Sequence, residues 1–257
     1  MKRLATTLLL LLSFSVVFGQ SLEVKYHQLV LDFIDCIKSK KKEKLADKVQ
    51  FPLMRKYPLP EIKNKQEFLK RYNEVFDEHL VKLIVNSKPN IDWSAVGWRG
   101  IMLGSGDLWL NYDGRLLAVN YESKAEKKQR LQLIKMEKNS LHPSIKTFKE
   151  PIQILETPQY RIRIDDMGAY NYRYTSWPLK SKMSDKPSLI IEKGIIIPEG
   201  SGGSVRFEFK NGEFTYDCAI LVDPEPGGAP ALLTISKGDK KILFQKAKIT
   251  RLRLLKL

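Results

Sequence analysis

The apolar positions of this chain keep two periods, and the change between them divides it. Leu29, Val30, Phe33, Ile34 and Ile37 recur at spacings of one, three and four, the stripe of a helix expected over 22–46. The lysines Lys38, Lys40, Lys41, Lys42, Lys44 and Lys48 end it, and a short second helix is expected from Glu43 to Val49. Phe51-Pro52-Leu53 opens an extended piece, and Pro58 and Pro60 keep helix away from it. Asn64 is placed to cap a further helix, with Glu67 as its capping-box partner. Phe68, Leu69, Tyr72, Val75, Phe76 and Leu80 form the apolar side of that helix, which is expected to reach Val85.

The period then falls to two. Strands are expected at 98–103, 107–112 and 116–122, joined by Gly104-Ser105-Gly106 and by the hairpin pair Asp113-Gly114. Helices followed by an antiparallel meander make an α+β domain over residues 20–123. Residues 124–145 are charged, with few large apolar residues in their first half, and read as a partly helical linker. The remainder, 146–257, is β-rich. Seven strands are expected, at 159–165, 169–175, 188–192, 204–210, 213–222, 231–236 and 240–249. Asp165-Asp166, Gly200 to Gly203, Asn211-Gly212, Pro224 to Gly228 and Gly238-Asp239 punctuate them. Phe207, Phe209, Phe214 and Tyr216 alternate about Asn211-Gly212 as a hairpin with one buried face would require. An all-β sandwich or small barrel is the expected architecture.

The first residues belong to a different signal. Lys2 and Arg3 precede an apolar run from Leu8 to Phe18, and Val17 and Gly19 put small residues before a cut at Gly19-Gln20. The run is too short to span a bilayer, so residues 1–19 read as a cleaved secretory signal peptide. The protein is expected to be exported, periplasmic or secreted. No later stretch has the length and apolarity of a transmembrane segment.

Charge sharpens that address. The chain of 257 residues carries a formal net charge of +15, of which Lys2 and Arg3 supply two. Such an excess steers encounters with anionic partners. Outside the cytoplasm the excess reads first as an ordinary solvated lysine-rich surface; if it serves a partner, that partner is expected to be an anionic envelope polymer or a small ligand. The lysine run has no aromatics interleaved in sequence, which argues against nucleic acid. Cys36 and Cys218 fall in different domains, and two buried thiols are as expected as one bridge. No His, Cys or carboxylate cluster has metal-ligand spacing, and no cofactor or metal is expected.

Two constellations suggest binding. Trp93, Trp98, Arg99 and Trp109 could wall an apolar ligand carrying an acid group. Alternatively the tryptophans fill the domain and Arg99 pairs with Asp107. Tyr170, Tyr172 and Tyr174 alternate along one strand toward Trp177, with Arg161, Arg163 and Arg173 nearby. That face could hold sugar or peptide, or be an ordinary half-exposed strand face. His79, beside Asp77 and Glu78, reads as a surface or capping residue before it reads as a base. Ser105 and Ser201 lack the strand-turn-helix setting of a nucleophile, and Gly200 to Gly203 lacks the lysine of a phosphate loop.

The order of helix, short helix, Phe51-Pro52-Leu53, the helix holding Phe68 to Phe76, Trp98-Arg99-Gly100-Ile101 and Leu108-Trp109-Leu110 resembles the nuclear transport factor 2-like superfamily over about residues 22–123. The resemblance implies a cone of curved sheet wrapped around helices, hence a cone-shaped α+β N-terminal domain. The superfamily holds enzymes and plain binding modules alike, so it implies no activity. Its isomerase members use an aspartate base and a tyrosine-containing oxyanion hole. Asp107, Tyr72 and Tyr112 supply those residue types without matching the positions. Gly97 to Tyr121 also resembles a segment of secreted bacterial proteins. Through Tyr174-Thr175-Ser176-Trp177 and Gly200-Ser201-Gly202-Gly203, the second domain resembles β domains of other exported bacterial proteins. The expected function is an exported, non-catalytic binding or envelope-associated protein. An enzyme with its pocket in the cone and an interaction or inhibitor module remain open.

Overall fold

The computed structural model describes residues 20–200, 203–222 and 227–250. The signal segment, Ser201-Gly202 and most of the Pro224 turn lie outside them. Strand β1 (Gln20–Ser21) leads into helices α1 (His27–Lys38), α2 (Lys42–Ala46), α3 (Lys65–Val75) and α4 (Glu78–Asn86). Strands β2 (Trp93–Ala95), β3 (Ile101–Leu103), β4 (Leu108–Leu110) and β5 (Leu116–Val119) form an antiparallel meander, and β1 pairs along the β2 edge. The helices and this sheet enclose one core, containing Val30, Phe33, Phe68, Leu80, Ile84, Trp93, Leu103 and Leu110.

The helix expected to run to Val85 is two. Phe76 leaves the helical region (φ −97°, ψ 73°), and Asp77 restarts the chain as the N-cap of α4, accepting from the Leu80 amide at 3.0 Å. A short carboxylate that can bond the backbone two or three residues on competes with helix continuation. Asn64 caps α3 as expected, accepting from the Glu67 amide at 3.0 Å. The strand expected from residue 98 begins at Ile101, after a 3₁₀ turn over Gly97–Arg99, and β2 precedes it. Gly100 makes that turn possible. Its φ is +101°, and a Cβ would overlap the Leu110 carbonyl.

Residues 124–145, expected as a linker, contain a 17-residue helix, α5 (Lys124–Ser140), capped by Ser123. Its buried residues are Glu126, Arg130, Leu133, Ile134 and Glu137. They keep helical spacing, but three of the five are charged. Glu126 pairs with Arg55, whose Nε reaches Oε1 at 2.7 Å. Arg130 donates to the Tyr57 carbonyl at 2.7 Å and to Glu150 at 2.9 Å. Glu137 accepts from the Tyr57 hydroxyl at 2.7 Å and pairs with Arg163. Asp165 lies 2.6 Å from Arg163 and 2.7 Å from Arg173. This charged seam joins the N-terminal unit to the rest of the chain.

After α5 come β6 (Glu150–Glu156), β7 (Tyr160–Gly168), β8 (Asn171–Pro178), β9 (Leu189–Glu199), β10 (Ser204–Asn211), β11 (Phe214–Ile220), β12 (Ala231–Lys237) and β13 (Lys240–Thr250). They close an eight-stranded antiparallel barrel in the order β10-β11-β12-β13-β6-β7-β8-β9. Of the two expected architectures, the barrel is the one observed. The strand missing from the expectation, β6, closes it by pairing with β13 over Ile154–Glu156. Pro151 at its start and poor alternation disguised it. Period two puts Ile162, Ile164, Tyr174, Phe207, Phe209, Cys218 and Leu233 in the interior. In β9, Lys193 takes a left-handed conformation (φ +63°) and the register with β8 slips, as at a β-bulge. The adjoining Gly194 lies so close to the Phe209 ring that a Cβ there would overlap it. The outer face of β7 and β8 is covered by α5 and the 141–149 stretch, where Trp177, Ile134, Leu141, Ile145, Phe148 and Met183 form a third core. Cys36 and Cys218 are separately buried free thiols.

Candidate functional site: a lysine-rimmed aromatic groove

The expected site residues are dispersed. Trp93 is fully buried in the N-terminal core, edge-on to Phe33, with its Nε1 donating to Ser87 at 2.9 Å. It fills the core and walls no pocket. Trp98 stands on the 3₁₀ turn, 64% exposed. Arg99 lies over the half-buried Trp109 ring, 5.3 Å from its centroid, and forms no ion pair with Asp107 among the described residues. Asp107 instead uses its backbone carbonyl to accept from the Asn120 and Tyr121 amides.

The three tyrosines do not form one row. Ala169 and Tyr170 are the two turn residues of the β7–β8 hairpin, both at positive φ (51° and 58°), the geometry a two-residue loop requires. That leaves Tyr170 outside the strand, 88% exposed. Tyr172 and Tyr174 do share a face, but it points into the barrel. Tyr172 packs on Phe207 at 5.0 Å, and Tyr174 packs on Phe209 and Tyr216 at 5.5 and 5.4 Å. The neighbouring Arg163 and Arg173 face the opposite way, into the seam. The three histidines are local props. His27 bonds the Leu22 carbonyl, His79 stacks on Tyr121, and His142 caps its own turn at Ser144.

The structure assembles a groove that the sequence did not reveal. It has a volume of about 460 Å³ and lies between the end of α1, the start of α2, α3 and α4. Helix α1 ends because Lys40 adopts the left-handed conformation (φ +53°) usual for glycine after a helix, and the Lys41 amide returns to the Cys36 carbonyl at 2.9 Å. That reversal places Lys38, Lys40 and Lys42 around one opening, joined by Lys82 from α4. The floor is Tyr72 of α3 and Phe76, the residue that ends it, with rings stacked at 4.9 Å and 11°. Ile37, Val81 and Val85 complete an apolar wall.

Four ammonium groups face one carboxylate here. Lys82 pairs with that carboxylate, Glu78, at 2.7 Å. Lys42 donates to Asn73 at 2.9 Å and sits 4.6 Å above the Tyr72 ring. Lys38 and Lys40 form no ion pair among the described residues. The Tyr72 hydroxyl finds no protein partner among them either, and burial, with Cys36 beside it, pushes its pKa up to about 12. The phenol therefore stays a neutral donor at neutral pH. Apolar wall, aromatic floor, phenolic donor and lysine rim together suit a ligand with an apolar body and an anionic head.

Comparison with family models, with curated proteins and with solved structures finds no match for this chain.

Proposed function

We propose that this chain is an exported, non-catalytic binding protein that takes an anionic ligand of the cell envelope into the groove over Tyr72 and Phe76. The observation that carries the reading is the convergence of Lys38, Lys40, Lys42 and Lys82 on an aromatic floor. The signal-like first residues and the net charge of +15 support the address and the sign of the ligand. An enzyme with its pocket inside the N-terminal unit is less well supported, because Trp93, Phe33, Phe68 and Leu80 pack that interior. We read the unit itself as a nuclear transport factor 2-like cone. Its helices followed by an antiparallel meander support that assignment.

Titration with octyl phosphate and octyl glucoside, each below its micelle concentration, tests the reading. Octyl phosphate should bind, more weakly as salt rises, and Lys42→Ala should cost roughly tenfold in affinity. Equal binding of the two probes, or none of either, overturns it.

A further inference from the structure

Helix α5 carries charge of one sign only on its outer face. Its two carboxylates, Glu126 and Glu137, are both turned inward and buried. Outward it presents Lys124, Lys127, Lys128 and Lys135, none in an ion pair among the described residues. These lysines share a stripe with Leu131 at its centre, at spacings of three, four and seven. Their aliphatic stems and Leu131 line a shallow trough of about 540 Å³. Leu131 is 57% exposed.

We infer that this face docks on the surface of an anionic lipid bilayer. A merely soluble helix face usually mixes charges of both signs, as at i,i+4 pairs. Here the carboxylates that would do so are committed to Arg55 and Arg163. Lysine stems lie along apolar surface and carry their ammonium groups to lipid phosphates, while a central leucine enters the boundary of headgroup and acyl chain. A soluble polyanion would satisfy the lysines and leave the exposed Leu131 at their centre without a role, which favours the bilayer. The face shares no residue with the groove over Tyr72, so the inference stands apart from the proposed function.

Vesicle flotation of residues 20–257 decides it, with phosphatidylcholine alone and with phosphatidylcholine and phosphatidylglycerol in equal parts. The protein should float only with the anionic vesicles. Each lysine of the stripe changed to Gln should weaken binding about fivefold. Leu131→Ser should weaken it at unchanged charge, whereas Lys42→Ala in the groove should leave it intact. Circular dichroism on each variant checks the fold. Failure to float with anionic vesicles, or floating undiminished without the four lysines, overturns the inference. So does binding that Leu131→Ser leaves unchanged and that polyphosphate matches, because the face is then a polyanion strip. Loss of floating in Lys42→Ala alone moves the lipid to the groove, overturning this inference while the proposed function survives.

Discussion

The N-terminal core and the seam under α5 bury side chains to a similar degree with opposite chemistry. In the core, Phe33, Phe68, Leu80, Ile84 and Trp93 are buried against one another. In the seam the fully buried groups are Glu126, Glu137, Arg163 and Asp165, with Arg130 and Arg173 almost as deep. The core gains from apolar area and fit, so it should tolerate changes that conserve volume. The seam gains only while its charges are matched, because each ion has given up hydration that a partner must replace. It also contains Glu137 Oε2, Arg163 Nε and Arg173 Nε, which find no protein hydrogen-bond partner, a cost that an apolar seam would not carry. The barrel docks on α5 with Glu137 matched to Arg163 and with Asp165 between Arg163 and Arg173.

Unbalancing the seam should destabilise the protein most. Glu137→Ala leaves Arg163 short of a counter-charge and frees the Tyr57 hydroxyl, and should cost about 3–5 kcal/mol in urea unfolding. Glu137→Leu combined with Arg163→Met should recover most of that loss, because the Asp165–Arg173 pair remains balanced. A single variant within about 1 kcal/mol of the parent would mean that the seam is wet and that the contrast with the core is unfounded. The matched change in the core is smaller. Leu103→Met conserves volume among apolar neighbours and should cost about 1 kcal/mol by the same measurement. A cost equal to that of Glu137→Ala would erase the distinction.

The same contrast explains what the sequence made legible. The barrel strands alternate apolar and polar residues because one face meets the interior, and seven of the eight could be placed from that alternation. The α5 stripe has the correct helical period, but its members are Glu126, Arg130 and Glu137. A reading that looks for apolar residues passes over a buried face made of ions, which is why the segment read as a linker. The groove was hidden for another reason. Tyr72 and Phe76 belong to a core-facing stripe and the lysines to a helix end, both as their spacing predicts. Only the reversal at Lys40 brings the two together, and no local spacing records it. The available hint was a run of lysines placed where a helix must turn back. Trp93 and Trp98 show the same limit: five residues apart, one is core and the other surface.

The smallest expected effect probes the rim of the seam, where burial gives way to solvent. Glu150 is 32% exposed and receives Arg130 at 2.9 Å, with Lys56 at 3.4 Å. Partial burial pushes its carboxyl pKa up, but the Arg130 hydrogen bonds and charge, together with Lys56, outweigh that and hold it below the usual carboxylate value. A carboxyl with a lower pKa folded than unfolded binds fewer protons in the native state. Its contribution is therefore present above the unfolded value, near pH 4.3, and is lost as pH falls through the folded one. At this exposure solvent screening keeps it below about 1 kcal/mol. The urea midpoint should fall between pH 5 and about pH 2, and Glu150→Gln should flatten that slope while lowering the midpoint slightly at pH 6. Trp177, packed in the third core beside the seam, should report the loss before Trp93, which sits in the N-terminal core. If Glu150→Gln keeps the full acid slope, or if both tryptophans respond together at every pH, the rim does not loosen separately from the core. The seam would then be as cooperative a part of the fold as the apolar interior, despite its chemistry.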